Sequence, residues 1–120
     1  MISIVSPLLR IQNQIRICHW QTTSYAEHKA FGKAYEHLDG LIDSFIEAFF
    51  GKYGRNKARL SYNIELKNYE GDFSLFMQDG IDFLKNLNSE LTAQEDSELL
   101  NIRDEMLQEL YTLKYLLTLK

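Results

Sequence analysis

Phe31, Tyr35, Leu38, Ile42, Phe45 and Phe49 recur at alternating steps of four and three. That spacing is the apolar seam of a helix packed in a bundle, and it predicts one long helix from Tyr25 to Phe50, stopped by Gly51. The rest of the composition agrees. Gly and Pro together make 7 of 120 residues, and Leu occurs 18 times against a single Val. Straight-chain helix formers therefore dominate over the β-branched residues that fill sheets, and an all-α fold is expected.

Three further helices follow from the same period. Ser6-Pro7 reads as an N-cap and first helical position, and Leu8, Ile11, Ile15 and Cys18 carry helix one to about Gln21. Ser24-Tyr25-Ala26-Glu27 is a capping box that opens helix two. Asp72 caps helix three, whose buried face runs through Phe73, Met77, Leu84, Leu87 and Leu91, with Gly80 where another backbone packs close. Thr92-Ala93-Gln94-Glu95 is a second capping box ahead of a helix that reaches nearly to Lys120. Between Gly51 and Gly71 the helical period disappears. Leu60, Tyr62, Ile64 and Leu66 alternate with polar residues there, as in an extended crossover with one short strand. Two hairpins joined by so long a link predict a single domain over residues 1–120: a ferritin-like four-helix bundle with one crossover between helices two and three.

Charge and cysteine usage narrow the function classes. The net charge of -4 argues against sequence-independent nucleic-acid binding. One cysteine, Cys18, excludes a disulfide framework and a cysteine-rich zinc site, and its expected role is that of a small buried hydrophobe. There is no run of eighteen apolar residues and no signal-peptide pattern, so a soluble cytoplasmic protein is expected. The basic residues Lys52, Arg55, Lys57 and Arg59, interleaved with Tyr53, have the composition of a phosphate-contacting loop. They also follow a helix C-terminus, where the dipole favours cations, which is the expected reason for them.

His19 and His28 flank the turn between helices one and two, nine residues apart, so their imidazoles can meet; His37 falls on the opposite side of the helix and is expected to be structural. Imidazole suits iron, zinc, copper or nickel, and carboxylates shift the preference toward iron or manganese. Helix two also bears Glu36, Asp39, Asp43 and Glu47. Asp43 lies fifteen residues beyond His28, about 22 Å along the axis, too far for both to hold one ion in one chain. Antiparallel packing of two copies would bring them together in two equivalent sites.

His19-Trp20, His28-x-x-Phe31, Tyr35, Leu38-Asp39 and Asp43-x-x-x-Glu47 together resemble the ferroxidase motif of the Dps family, small ferritin-like proteins that oxidise and store iron. The resemblance covers residues 19–47. It implies His19 and His28 as iron ligands from one subunit, Asp43 and Glu47 from its two-fold mate, Trp20 as an electron donor, and a homodimer through helices one and two or a larger shell. Gly32 stands where the family has an acidic ligand, the turn between the histidines is about three residues shorter, and the basic N-terminal tail used for DNA coating is absent. The whole chain, with Gly51-Lys52-Tyr53-Gly54-Arg55, also resembles small ferritin-like proteins of tailed phages. The alternative expectation is thus a ferritin-fold protein without a working metal centre that acts as an interaction module in a phage-infected cell.

Overall fold

A computed structural model describes residues 3–55 and 57–120. It contains four helices, α1 (Val5–Gln21), α2 (Tyr25–Tyr53), α3 (Ser74–Asn86) and α4 (Ser97–Leu116), with a 3-10 turn at Leu87–Ser89. Around the bundle the order is α1, α2, α4, α3. Contacts fix the directions: His37 meets Glu109 late in α4 and Lys52 meets Asp96 just before it, Arg103 meets Leu84 while Leu110 meets Gly80 across α4 and α3, and Arg10 meets Asp79 across α1 and α3. Every neighbouring pair is antiparallel. Apolar side chains from all four helices, among them Leu8, Ile15, Phe31, Leu38, Phe45, Leu84, Leu99 and Leu110, form one buried cluster.

Antiparallel neighbours throughout require the link from α2 to α3 to travel the length of the bundle. It does so against α1. Gln14, itself buried, donates its amide to the Lys67 carbonyl and accepts from the Lys67 N–H, both at 2.8 Å. Further along, Gln21 accepts from the Tyr69 N–H and donates to Asn68. Tyr69 then reaches Glu27 on α2 with its hydroxyl.

Local details differ from the sequence expectations for identifiable reasons. α1 begins at Val5, so Pro7 lies within the first turn, where backbone N–H groups lack intrahelical partners and its ring costs little. α2 passes through Gly51 and ends at Gly54, whose φ of 91° only glycine adopts readily. Residues 60–66 form no strand, and the backbone of Lys67 just after them pairs with the Gln14 side chain of α1 rather than with another backbone. The helix expected to reach Leu91 tightens into the 3-10 turn after Asn86. Thr92 caps a turn by accepting from the Glu95 N–H, and α4 starts only at Ser97. Gly80 faces the side chains of Leu110 and Ile11 rather than a backbone.

Two polar hubs at one end of the bundle lie outside the apolar pattern. Arg103, buried on α4, donates to the Leu84 carbonyl at 2.8 Å and to Asn88 at 2.9 Å, so a cation closes the C-terminal end of α3. Asp96, 2% exposed, accepts from the Tyr53 hydroxyl and the Thr92 N–H and pairs with Lys52 at 3.0 Å. Lys52 also pairs with Glu98 at 2.6 Å.

The Tyr53 hydroxyl, then Lys52, hold the Asp96 carboxyl below its ordinary value of 3.8, and Lys52 holds Glu98 below 4.5. Carboxyls lowered on folding stabilise the protein above their unfolded values and lose that contribution as pH falls through the folded ones. The stability gap between wild type and Lys52→Met should therefore be constant from about pH 6 to 9 and shrink below about pH 4; a gap undiminished at acid pH in urea titrations refutes this. Arg103→Met should cost about 2 kcal/mol by losing charged hydrogen bonds, read from the same titrations at neutral pH.

Candidate functional site

The capping sequence Ser24–Glu27 works as expected on one side: the Ser24 hydroxyl accepts from the Glu27 N–H at 3.2 Å and starts α2. The Glu27 carboxylate instead accepts from Thr22 and Tyr69 hydroxyls, at 2.7 and 2.9 Å. This ties the α1–α2 turn to the end of the long connection. The turn is tight enough to bring the last turn of α1 against the first turn of α2, and there His19 and His28 meet.

Their rings stack, with centroids 3.9 Å apart and planes 16° from parallel. Each ring also reaches the other's backbone. The Nδ1–H of His19 donates to the His28 carbonyl at 2.7 Å, and that of His28 to the His19 carbonyl at 2.9 Å. Since a carbonyl only accepts, both Nδ1 atoms carry hydrogen, and each neutral ring keeps its lone pair on Nε2. A metal must lie near the plane of an imidazole at about 2.0–2.1 Å from its nitrogen. Two stacked rings project their lone pairs in separate, nearly parallel planes, so this pair does not close on one ion without unstacking.

Gly32 explains how the stack fits. A Cβ built there would stand 2.9 Å from Cε1 of His19, closer than real Cβ contacts come, and a tight 3.1 Å from its Nδ1. The His19 ring thus occupies the space that the side chain of an acidic ligand would need. The resemblance marked Gly32 as the position where an acidic ligand is expected; its partner across the helix pair was not visible from spacing.

The remaining predicted residues are dispersed. Asp43 and Glu47 are exposed on the outer face of α2, and the hydrogen bond and charge of Asp43 raise the Glu47 carboxyl above its usual range. Asp39 accepts from the Gln12 amide at 2.6 Å. Trp20 is 65% exposed, and Arg16 reaches over its ring and that of Tyr35, at 5.2 and 4.3 Å from their centroids. His37 donates to Glu109 at 2.9 Å. Burial pushes the Cys18 thiol up to about 11, so it stays protonated in the core. Lys52 is held by the α4 acids, while Arg55, Lys57 and Arg59 lie exposed on the connection. Among the described residues, no three His, Cys, Asp or Glu side chains of one chain group to hold a metal ion. No described helix is long and apolar enough to cross a membrane.

Gly32→Ala and Gly40→Ala make a matched test of the stack. Nothing lies within 4 Å of a Cβ at Gly40, so alanine there should raise stability by about 0.5–1 kcal/mol. At Gly32 the same gain should be cancelled or exceeded by displacement of the His19 ring, seen as a melting temperature no higher than wild type; equal gains at both positions refute the packing role.

A family model described as a family of unknown function (DUF5856) matches residues 19–117. The "Uncharacterized 14.6 kDa protein in mobD-ri intergenic region" of Enterobacteria phage T4 is 40% identical over 48 residues, which are 40% of this chain and 38% of that protein's length. No solved structure matches. The family match runs from the stacked histidines to the end of α4, and the chain belongs to this family of unknown function, DUF5856.

Proposed function

We propose that the protein is a ferritin-like bundle that works by protein–protein association in a phage-infected cell, with its histidine pair serving as a structural clasp. The antiparallel neighbours and the single long connection support the ferritin-like topology. The phage T4 relative supports the setting, the host cytoplasm. The observation that carries the functional reading is the fit of His19 over Gly32. Both imidazoles are committed to joining α1 to α2, and the space for a carboxylate ligand is filled by a ring.

One observation favours a second reading, that of a Dps-like protein taking Fe(II) as substrate between two subunits. Both histidines retain a free Nε2 lone pair, and bonding Nδ1–H to a carbonyl is the usual way a ligating imidazole is oriented. In that reading His19 and His28 face Asp43 and Glu47 of the two-fold mate, and manganese or zinc would suit the same donors.

Metal content and aerobic Fe(II) oxidation of wild type and His28→Ala distinguish the two. The clasp reading expects oxidation no faster than buffer and a lower melting temperature in His28→Ala. Iron oxidation that disappears in a folded His28→Ala variant overturns it in favour of the ferroxidase reading.

A further inference from the structure

The outer face of α2 carries a regular stripe. Tyr25, Lys29, Lys33, Glu36, Gly40, Asp43, Glu47 and Gly51 recur at steps of four and three, all exposed. At 100° per residue they fall within an arc of about 80°, directly opposite the buried Leu38, Phe45 and Phe49. The N-terminal half is basic and the C-terminal half acidic.

Within the chain, Lys29 lies over the Tyr25 ring, its Nζ 5.6 Å from the centroid, but that contact does not explain the order of the charges. Lys29 with Lys33, and Asp43 with Glu47, are like charges four apart, which destabilise an isolated helix. Among the described residues none of these four charges forms an ion pair. Gly40 and Gly51 lie inside the helix with nothing within 4 Å of a built Cβ, although each weakens the helix relative to alanine.

An antiparallel second copy accounts for all of it. With two α2 helices crossing at the level of Leu38, Lys29 and Glu47 lie at matching heights, about 13.5 Å either side of the crossing, and Lys33 and Asp43 at about 7.5 Å. The two large remaining side chains each meet a glycine: Glu36 comes opposite Gly40, and Tyr25 opposite Gly51. Every position of the stripe then has a complement, as an isologous interface requires. A uniformly charged partner such as a nucleic acid or an anionic membrane would attract one half of the stripe and repel the other.

We propose that the exposed stripe of α2 is a homodimer interface, two copies pairing antiparallel so that Lys29 and Lys33 of each meet Glu47 and Asp43 of the other. This rests on the association reading and names its partner as a second copy of the chain. The raised Glu47 carboxyl agrees, since it marks an acidic pair that lacks a cation in the single chain.

Sedimentation equilibrium of the full chain at low salt tests the pairing. Wild type should dimerise, and raising salt from about 0.05 to 0.5 M should weaken the dimer. Lys33→Asp, which sets acids against Asp43 twice per dimer, should weaken it about tenfold or more, and Lys33→Asp combined with Asp43→Lys should restore it. Gly40→Gln should give a folded monomer, because it fills the space opposite Glu36 while improving helix propensity. A chain that is monomeric at about 0.1 mM in low salt, or a dimer indifferent to Lys33→Asp and Gly40→Gln, overturns the interface. The iron assay reads the association reading separately: a dimer that also oxidises iron through His28 keeps the interface and loses the clasp.

Discussion

Gln14 uses one carboxamide to bond both backbone groups of Lys67, much as a neighbouring strand would. A buried amide is costly unless its donor and acceptor are both satisfied, and here the connection satisfies them. That pairing, continued by Gln21 with Asn68 and Tyr69, lays the connection along α1 and delivers Gly71 to the opposite end of the bundle. α3 must then start beside the N-terminus of α2, and the antiparallel arrangement of all four neighbours follows. Most side chains of residues 60–66 are exposed, so the backbone pairing at Lys67 does what side-chain burial does elsewhere in the bundle.

Apolar periodicity made the helices and the crossover legible, because burial acts on every third or fourth residue and leaves a mark along the whole element. Seams through Phe31 to Phe49 and Leu99 to Leu113 correspond to buried faces of α2 and α4. Helix ends were less legible, for they depend on one hydrogen bond or one φ angle. Gly51 looked like a stop, yet it sits in helical conformation and Gly54 supplies the positive φ. Polar hubs were least legible. Asp96 and Arg103 resemble any surface charge in the sequence, and their burial depends on partners 43 and 19 residues away.

The candidate site divides in the same way. Nine-residue spacing across a tight turn was enough to bring the two imidazoles together. It did not carry the ring orientation, which comes from two reciprocal hydrogen bonds and from the absence of a side chain at Gly32. The acidic residues of α2, by contrast, took their meaning from what they lack. Asp39 is engaged by Gln12, whereas Asp43 and Glu47 face outward with only each other for company.

Arg103 and Asp96 lie at the same end of the bundle but join different partners. Arg103 fastens α4 to α3 through a carbonyl and an amide, acceptors that do not titrate. Asp96 fastens α4 to α2 through a carboxylate, which does. Acid therefore acts on the seams unequally, releasing the end of α2 while the α3–α4 hairpin keeps its own fastening. Protonation thus removes one polar fastening of α4 and leaves the other, on a bundle still held by the apolar cluster that all four helices share.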